Sequence, residues 1–380
     1  MNSLRQFAAI AAVAAASLAT ASPAAAPSRR TVTAAEVERV HRSALLIDTH
    51  NDVTSDTLRG ADIGRARPNG HTDVPRLRRG GVGAVFFAAY VSGTFEKTNQ
   101  SAHRALEMID TIRHDIVDAH PNDFALATTA AQIEQIHASG KIAALIGLEG
   151  GHAVEDSPRL LRQFYNLGVR YMTLTHANTN HWAGSSGDAS GKTTGLSSLG
   201  RSLVAEMNRL GMMVDISHVS DKTFFDVLEA SAAPPLASHS SCRALSAIAR
   251  NMTDEMIVAL AKKGGVVQVN FGCEFVSQRS ANQSSWLGTA PKGTKAPRAT
   301  LEEAVAHIDH IVKLAGVDHA GIGTDFDGVD CVPAGLDDVS KFAALTRALL
   351  ERGYTAEQIR KIYGGNLLRV MRAAEAAARH

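Results

Sequence analysis

The sequence predicts an α/β fold, a (β/α)8 TIM-like barrel with extra C-terminal helices. Three observations point to it: eight short apolar or β-branched runs, longer amphipathic stretches between them, and His, Asp or Glu at or beside the ends of six of the runs. Alternation of the first two is the mark of βα units around a parallel sheet. The third matters because such barrels carry their chemistry at the C-terminal ends of the strands. At 380 residues the chain exceeds the roughly 250 that one barrel needs, which leaves length for additions to a single domain spanning 31–380.

The first strand is expected over 44–50, and its end reads Asp48-Thr49-His50-Asn51-Asp52. In extended chain, residues i and i+2 share a face, so His50 and Asp52 can reach one cation together. About one His-x-Asp is expected by chance, and two others occur. His307 and Asp309 lie in a helical pattern, where i and i+2 diverge, and His71 and Asp73 lie in a loop rich in Gly, Pro and Arg. Only the first pair sits at a strand end.

The second strand, 82–91, leads to an amphipathic stretch at 102–119. The third, 141–149, ends on Glu149 after an apolar run, a costly place for a carboxylate unless it is paired or metal-bound. Strands over 171–176, 212–218 and 235–239 end on His176, His218 and His239, and strands over 264–271 and 320–326 complete the eight, the last bearing Asp325. Helical patterns at 199–210, 253–263 and 301–315 fill the intervals, the last opened by a capping box of Thr300 and Glu303. Two further helices, 336–352 and 355–377, follow the last strand and pack outside the ring. Segments 183–194 and 277–299, rich in Gly and Ser, follow strand ends and read as lids.

Composition narrows the partners. Lys and Arg number 39 against 38 Asp and Glu, so no basic field exists to attract nucleic acid or an anionic membrane. The 16 His against 3 Cys favour nitrogen and oxygen ligands over thiolates. Cys242, Cys273 and Cys331 allow at most one disulfide and leave one thiol over. Arg5, an apolar stretch to Ala19 and small residues at Ala19 and Ala21 read as a secretory signal peptide over 1–21; cleavage as late as Ala26 would leave Pro27 at the new terminus. The apolar run is short for a membrane span, and the charged C-terminal end lacks an anchor tail, so a periplasmic or secreted protein without a stable membrane anchor is expected.

A lone histidine at a strand end is more often a hydrogen-bonded core residue than a ligand. Three of them together with Asp52 and Glu149 form a donor set suited to two divalent ions, with Glu149 as the shared bridge. Two ions about 3.5–4 Å apart activate a bridging water, so the expected reaction class is metal-assisted hydrolysis.

Read in order, the motifs Asp48-Thr49-His50-Asn51-Asp52, Leu148-Glu149-Gly150-Gly151-His152, Leu174-Thr175-His176, Asp215-Ile216-Ser217-His218-Val219-Ser220, Ser238-His239-Ser240, Arg250-Asn251, Gly323-Thr324-Asp325-Phe326-Asp327-Gly328 and Tyr363-Gly364-Gly365-Asn366 resemble the membrane (renal) dipeptidase family. The resemblance covers nearly everything from Leu46 to Met371. It implies a zinc-dependent dipeptidase with two Zn2+ per chain: His50 and Asp52 on one ion, His218 and His239 on the other, Glu149 bridging, and a metal-bridging hydroxide as nucleophile. By the same implication His176 steadies the substrate carbonyl and oxyanion, and Arg250 receives the dipeptide's free carboxylate. Asp325 orients or deprotonates the water and returns the proton to the leaving amine, its own pKa held low by two cations until water is bound. His152 is expected beside the ligands rather than among them. The implied substrates are small dipeptides, with a D-residue accepted at the C-terminal position, and a homodimer is left open. Animal members are lipid-anchored and disulfide-bonded, which three Cys and no anchor tail do not reproduce; segment 277–299 also looks longer here.

Other readings are a metal-dependent hydrolase of a lactam, lactone, phosphoester or other small amide, a tailoring peptidase in peptide-metabolite biosynthesis, and a metal-occupied peptide-binding protein without turnover. Replacing Arg250 with Met separates dipeptides from neutral lactones, and a hydrolysis assay separates enzyme from binder.

Overall fold

The computed structural model describes residues 30–379; the expected leader and both its candidate cleavage positions lie outside them. All eight expected strands form, and a ninth joins them: β1 Leu46–Asn51, β2 Val82–Tyr90, β3 Phe124–Leu126, β4 Ile142–Glu149, β5 Val169–Thr173, β6 Met213–Asp215, β7 Leu236–Ala237, β8 Val266–Val269 and β9 Ala320–Ile322. They pair in parallel in the order β1-β2-β4-β5-β6-β7-β8-β9, with the short β3 added outside this path on β4. The seam between last strand and first is bridged at Asn51 and Phe326, where Asp52 N donates to Phe326 O (2.9 Å) and Asp325 N donates to His50 O (3.0 Å). The result is a nearly closed eight-stranded parallel barrel surrounded by helices.

Side chains alternate across its wall as the pleat requires. Ile47, Phe86, Leu145, Tyr171, Met213, Leu236 and Val266 form an inner core. Their neighbours Leu46, Phe87, Ile146, Met172, Val214 and Val267 face outward into a larger core beneath the helices. The helix Asn366–Ala377 contributes Leu367, Val370, Met371 and Ala374 to the inner core and so seals the floor of the barrel. It approaches closely because Gly364 has no side chain; a Cβ there would lie 2.4 Å from Leu45 O.

Two residues above the apolar floor, the same inward register carries Thr49, Thr173, Asp215 and Ser238, which bond to one another. Thr49 Oγ1 donates to Ser238 O (2.6 Å), and Thr173 Oγ1 and Ser238 Oγ both donate to Asp215 Oδ2 (2.5 and 2.6 Å). The regular strands end sooner than periodicity suggests. His176, His218, His239 and Asp325 lie two or three residues beyond strands that stop at Thr173, Asp215, Ala237 and Ile322.

The surrounding helices include Ser198–Leu210, Asp254–Lys262 and Leu301–Ala315, the last with both arms of its capping box in place. The stretch expected over 102–119 begins at Ser101 and changes to π-winding at Ile112; that over 355–377 is interrupted by a π-turn at Lys361–Gly365. The helical winding expected from 336 begins only at Val339. Helices Ala34–Arg42, Ala130–Ala138, Pro158–Asn166 and Asp221–Ala230 complete the wrap. Cys273 and Cys331 are bridged, and Cys242 is a buried free thiol. Among the described residues no helix is long and apolar enough to cross a membrane.

Candidate metal centre

The five expected ligands converge at the C-terminal mouth of the barrel. Glu149, the last residue of β4, lies at the centre. Its Oε1 is 3.0 Å from His218 Nε2 and 3.3 Å from His239 Nε2, while its Oε2 is 3.5 Å from His50 Nε2. His50 Nε2 is in turn 3.3 Å from Asp52 Oδ2. The His50 and His239 rings stack with centroids 3.7 Å apart, and the Nε2 atoms of His218 and His239 are 3.0 Å apart. One carboxylate thus stands between a His/Asp pair and a His/His pair. The pairing of His50 with Asp52 survives although β1 changes register between Asp48 and Asn51.

The remaining predicted residues border this cluster. His176 packs its ring on His218 at 4.5 Å and gathers with Glu149 and His218; Asp325 gathers with His50 and Asp52. Asp325 Oδ2 accepts a hydrogen bond from Asn270 Nδ2 (2.7 Å), which fixes its direction. Buried Arg250 donates to Ser240 Oγ (3.2 Å) and His239 O (3.1 Å), with its guanidinium 5.3 Å from the centre of the Phe275 ring. His152 is buried beside Gly150, whose φ of +104° and lack of Cβ let the His152 ring approach. His71 and Asp73 serve their loop, Asp73 capping the helix Val74–Arg79, and His307 accepts from Cys242 N on the outer face.

His218 and Asp325 hold φ of +67° and +61°, conformations that cost roughly 1–3 kcal/mol apiece outside glycine. Neighbouring loops hold them there. Ser186 N and Oγ both donate to His218 O (2.8 and 3.0 Å), so segment 183–194 anchors the turn that carries His218. Segment 277–299 touches the site's edge through Trp286, which stacks on Phe275 at 5.8 Å.

The electrostatics favour a cation. Three carboxylates, Asp52, Glu149 and Asp325, are buried together. Burial opposes charge on His50, yet Tyr171, Glu149 and Asp52 outweigh it and hold its pKa well above the ordinary value. Burial pushes His218 and His239 well below theirs, which keeps both as neutral donors. Asp325 is pushed well up by burial and by Asp52; positive charge at the site acts in the opposite direction. Arg250 is lowered by burial to about 10 and stays charged at neutral pH. His50 Nε2 and Asp52 Oδ2 are buried without a hydrogen-bond partner, which for such donors is the environment a metal ion satisfies.

Sequence reading missed Tyr171, Tyr90 and Asn270. Tyr171 sits in mid-strand and Asn270 just beyond one, where nothing in the local pattern marks them. Tyr90 ends β2, and its ring lies 4.8 Å from that of His176.

The model of the membrane dipeptidase family, peptidase family M19, matches residues 34–380. A dipeptidase of Clonostachys rogersoniana is 38% identical over 346 residues, spanning 87% of this chain and 84% of that protein. An uncharacterized dipeptidase of Schizosaccharomyces pombe is 37% identical over 361 residues, spanning 90% of this chain and 83% of that one. The crystal structure of a metallo peptidase from Rhodobacter sphaeroides, liganded with a phosphinate mimic of the dipeptide L-Ala-D-Ala, superposes with a TM-score of 0.76 at 28% identity, covering 87% of this chain and 99% of that one.

Proposed function

The chain belongs to the membrane dipeptidase family, peptidase family M19, and from that premise we propose how it works as a metal-dependent dipeptidase. The reading is a zinc enzyme for small dipeptides that accepts a D-residue at the C-terminal position. The observation that carries it is the Glu149 carboxylate, with His218 and His239 on one oxygen and His50 on the other. His50, Asp52 and Glu149 would hold one ion, and His218, His239 and Glu149 the second. A pair of divalent ions so held lowers the pKa of a water and polarises the bond it attacks.

The chain's own residues supply the rest. Arg250 binds the dipeptide's free carboxylate; its Nε is buried without a partner, and its other contacts fix the guanidinium plane. His176 donates to the scissile carbonyl oxygen as charge develops there. Asp325, aimed by Asn270, takes a proton from the attacking water and delivers it to the leaving amine.

The test is elemental analysis together with hydrolysis of a dipeptide library, including C-terminal D-residues, before and after a chelator. Two zinc ions per chain and chelator-sensitive cleavage are expected; cleavage that persists in a metal-stripped protein would refute the reading. Export to the periplasm or medium is proposed on the leader at 1–21 alone. N-terminal sequencing of the protein recovered from that fraction tests it, and an intact Met1 would sink it.

A further inference from the structure

Behind two of the ligand histidines stand hydroxyl groups with only one proton to give. Tyr171 Oη lies 3.0 Å from Thr49 O and 2.8 Å from His50 Nδ1. A backbone carbonyl can only accept, so the phenol proton goes to Thr49 O and His50 Nδ1 must donate to the phenol oxygen. Ser238 repeats the arrangement. Its Oγ is 2.6 Å from Asp215 Oδ2 and 2.7 Å from His239 Nδ1. The Asp215 carboxylate, which also accepts from Ser238 N (2.8 Å), Ser217 N (3.0 Å) and Thr173 Oγ1 (2.5 Å), takes the serine proton, and His239 Nδ1 must donate. In the neutral form of both rings, the form that binds a metal ion, the lone pair is thereby left on Nε2, the atom that faces Glu149.

The Tyr171 contact requires a side chain from β5 to cross the barrel to β1, which is not its neighbour. The inward position on the intervening β4 is Gly147, where a Cβ would lie 2.1 Å from Tyr171 Cζ. A tyrosine and the glycine that admits it thus share one function.

We propose that Tyr171 and Ser238 are positioning residues, each fixing the tautomer and ring plane of one histidine so that each relay serves a different ion. The proposal rests on the two-ion reading above, with Tyr171 acting on the His50 side and Ser238 on the His239 side. Hydrogen-bond partners of metal-bound histidines are typically worth 10- to 100-fold in affinity.

Zn2+ titration of the apoprotein against a chromophoric chelator tests this on wild type, Tyr171→Phe and Ser238→Ala. The apoprotein Tm and the visible spectrum of the Co2+-loaded protein are recorded for each. Each variant is expected to weaken one of two sites by 10- to 100-fold, to leave the other within about twofold, and to alter the cobalt bands of the weakened site alone. The two sites control for each other, because general loosening of the barrel weakens both. Equal weakening at both sites, or unchanged affinity in variants of a wild type that binds two ions, overturns the proposal and leaves the two-ion reading standing. A wild type that binds no zinc overturns that reading first.

Discussion

At the scale of single residues, the proposed roles separate binding from proton transfer, and the two can be tested apart. Arg250 touches neither carboxylate of the proposed ligand set by hydrogen bond, only Ser240 Oγ and His239 O. Arg250→Met is therefore expected to raise KM for dipeptides roughly 10- to 100-fold, the worth of a charge-assisted contact, with a much smaller change in kcat. Steady-state kinetics on one dipeptide series decides it; a loss confined to kcat would contradict a carboxylate-binding role. Asp325→Asn leaves an oxygen to accept from Asn270 but removes the proposed base. Turnover should fall about 10²- to 10⁴-fold with metal content unchanged, measured by kinetics beside elemental analysis. His50, Asp52, Glu149, His218 and His239 were legible in the sequence because a polar side chain after an apolar strand is conspicuous. Tyr171 was not, since its role depends on a glycine one strand away and on the width of the barrel, neither of which a linear pattern contains.

Elements were legible to the degree that their burial is one-sided or complete. The apolar runs of β2 and β4 announce strands covered on both faces, whereas β3 has three residues and too little pattern to notice. The interruption of the last helix was not foreseeable either, because the π-winding at Lys361–Gly365 coincides with the close approach of Gly364 to Leu45 and Ile47, a tertiary fact. Between helices, one ion-pair group offers a clean test. Glu206 on Ser198–Leu210 accepts from Arg209 and from Arg162 of the helix Pro158–Asn166, at 2.8 Å each. The Arg209 hydrogen bond, with burial opposing and Arg162 assisting, lowers its pKa from 4.5 to about 2. A carboxylate lowered on folding stabilises the fold above its unfolded value, and that contribution drains away as pH falls from about 4.5 toward 2. Denaturation of wild type and Glu206→Gln should therefore differ at pH 7 and converge near pH 2; a constant difference would contradict the link.

For the whole molecule, the barrel's inner core depends on a helix that arrives last in the chain. Removing 366–379 takes Leu367, Val370, Met371 and Ala374 from the inner core and opens it beside Met213 and Val266, and the loss of several buried apolar side chains at roughly 1.5–3 kcal/mol each exceeds the margin of a typical domain. The truncated chain should show no cooperative unfolding transition by circular dichroism; a normal melt would mean the floor is sealed by something else. The seam has a further consequence. Asp48 on the first strand bonds Thr324, 276 positions later, and Asp325 meets His50 only across that closure. Until β9 has joined β1, the wall that carries His50 and Asp52 stays open along one side. Tight ion capture is therefore expected to follow closure of the seam, so that the medium in which the barrel first closes decides which metal it acquires.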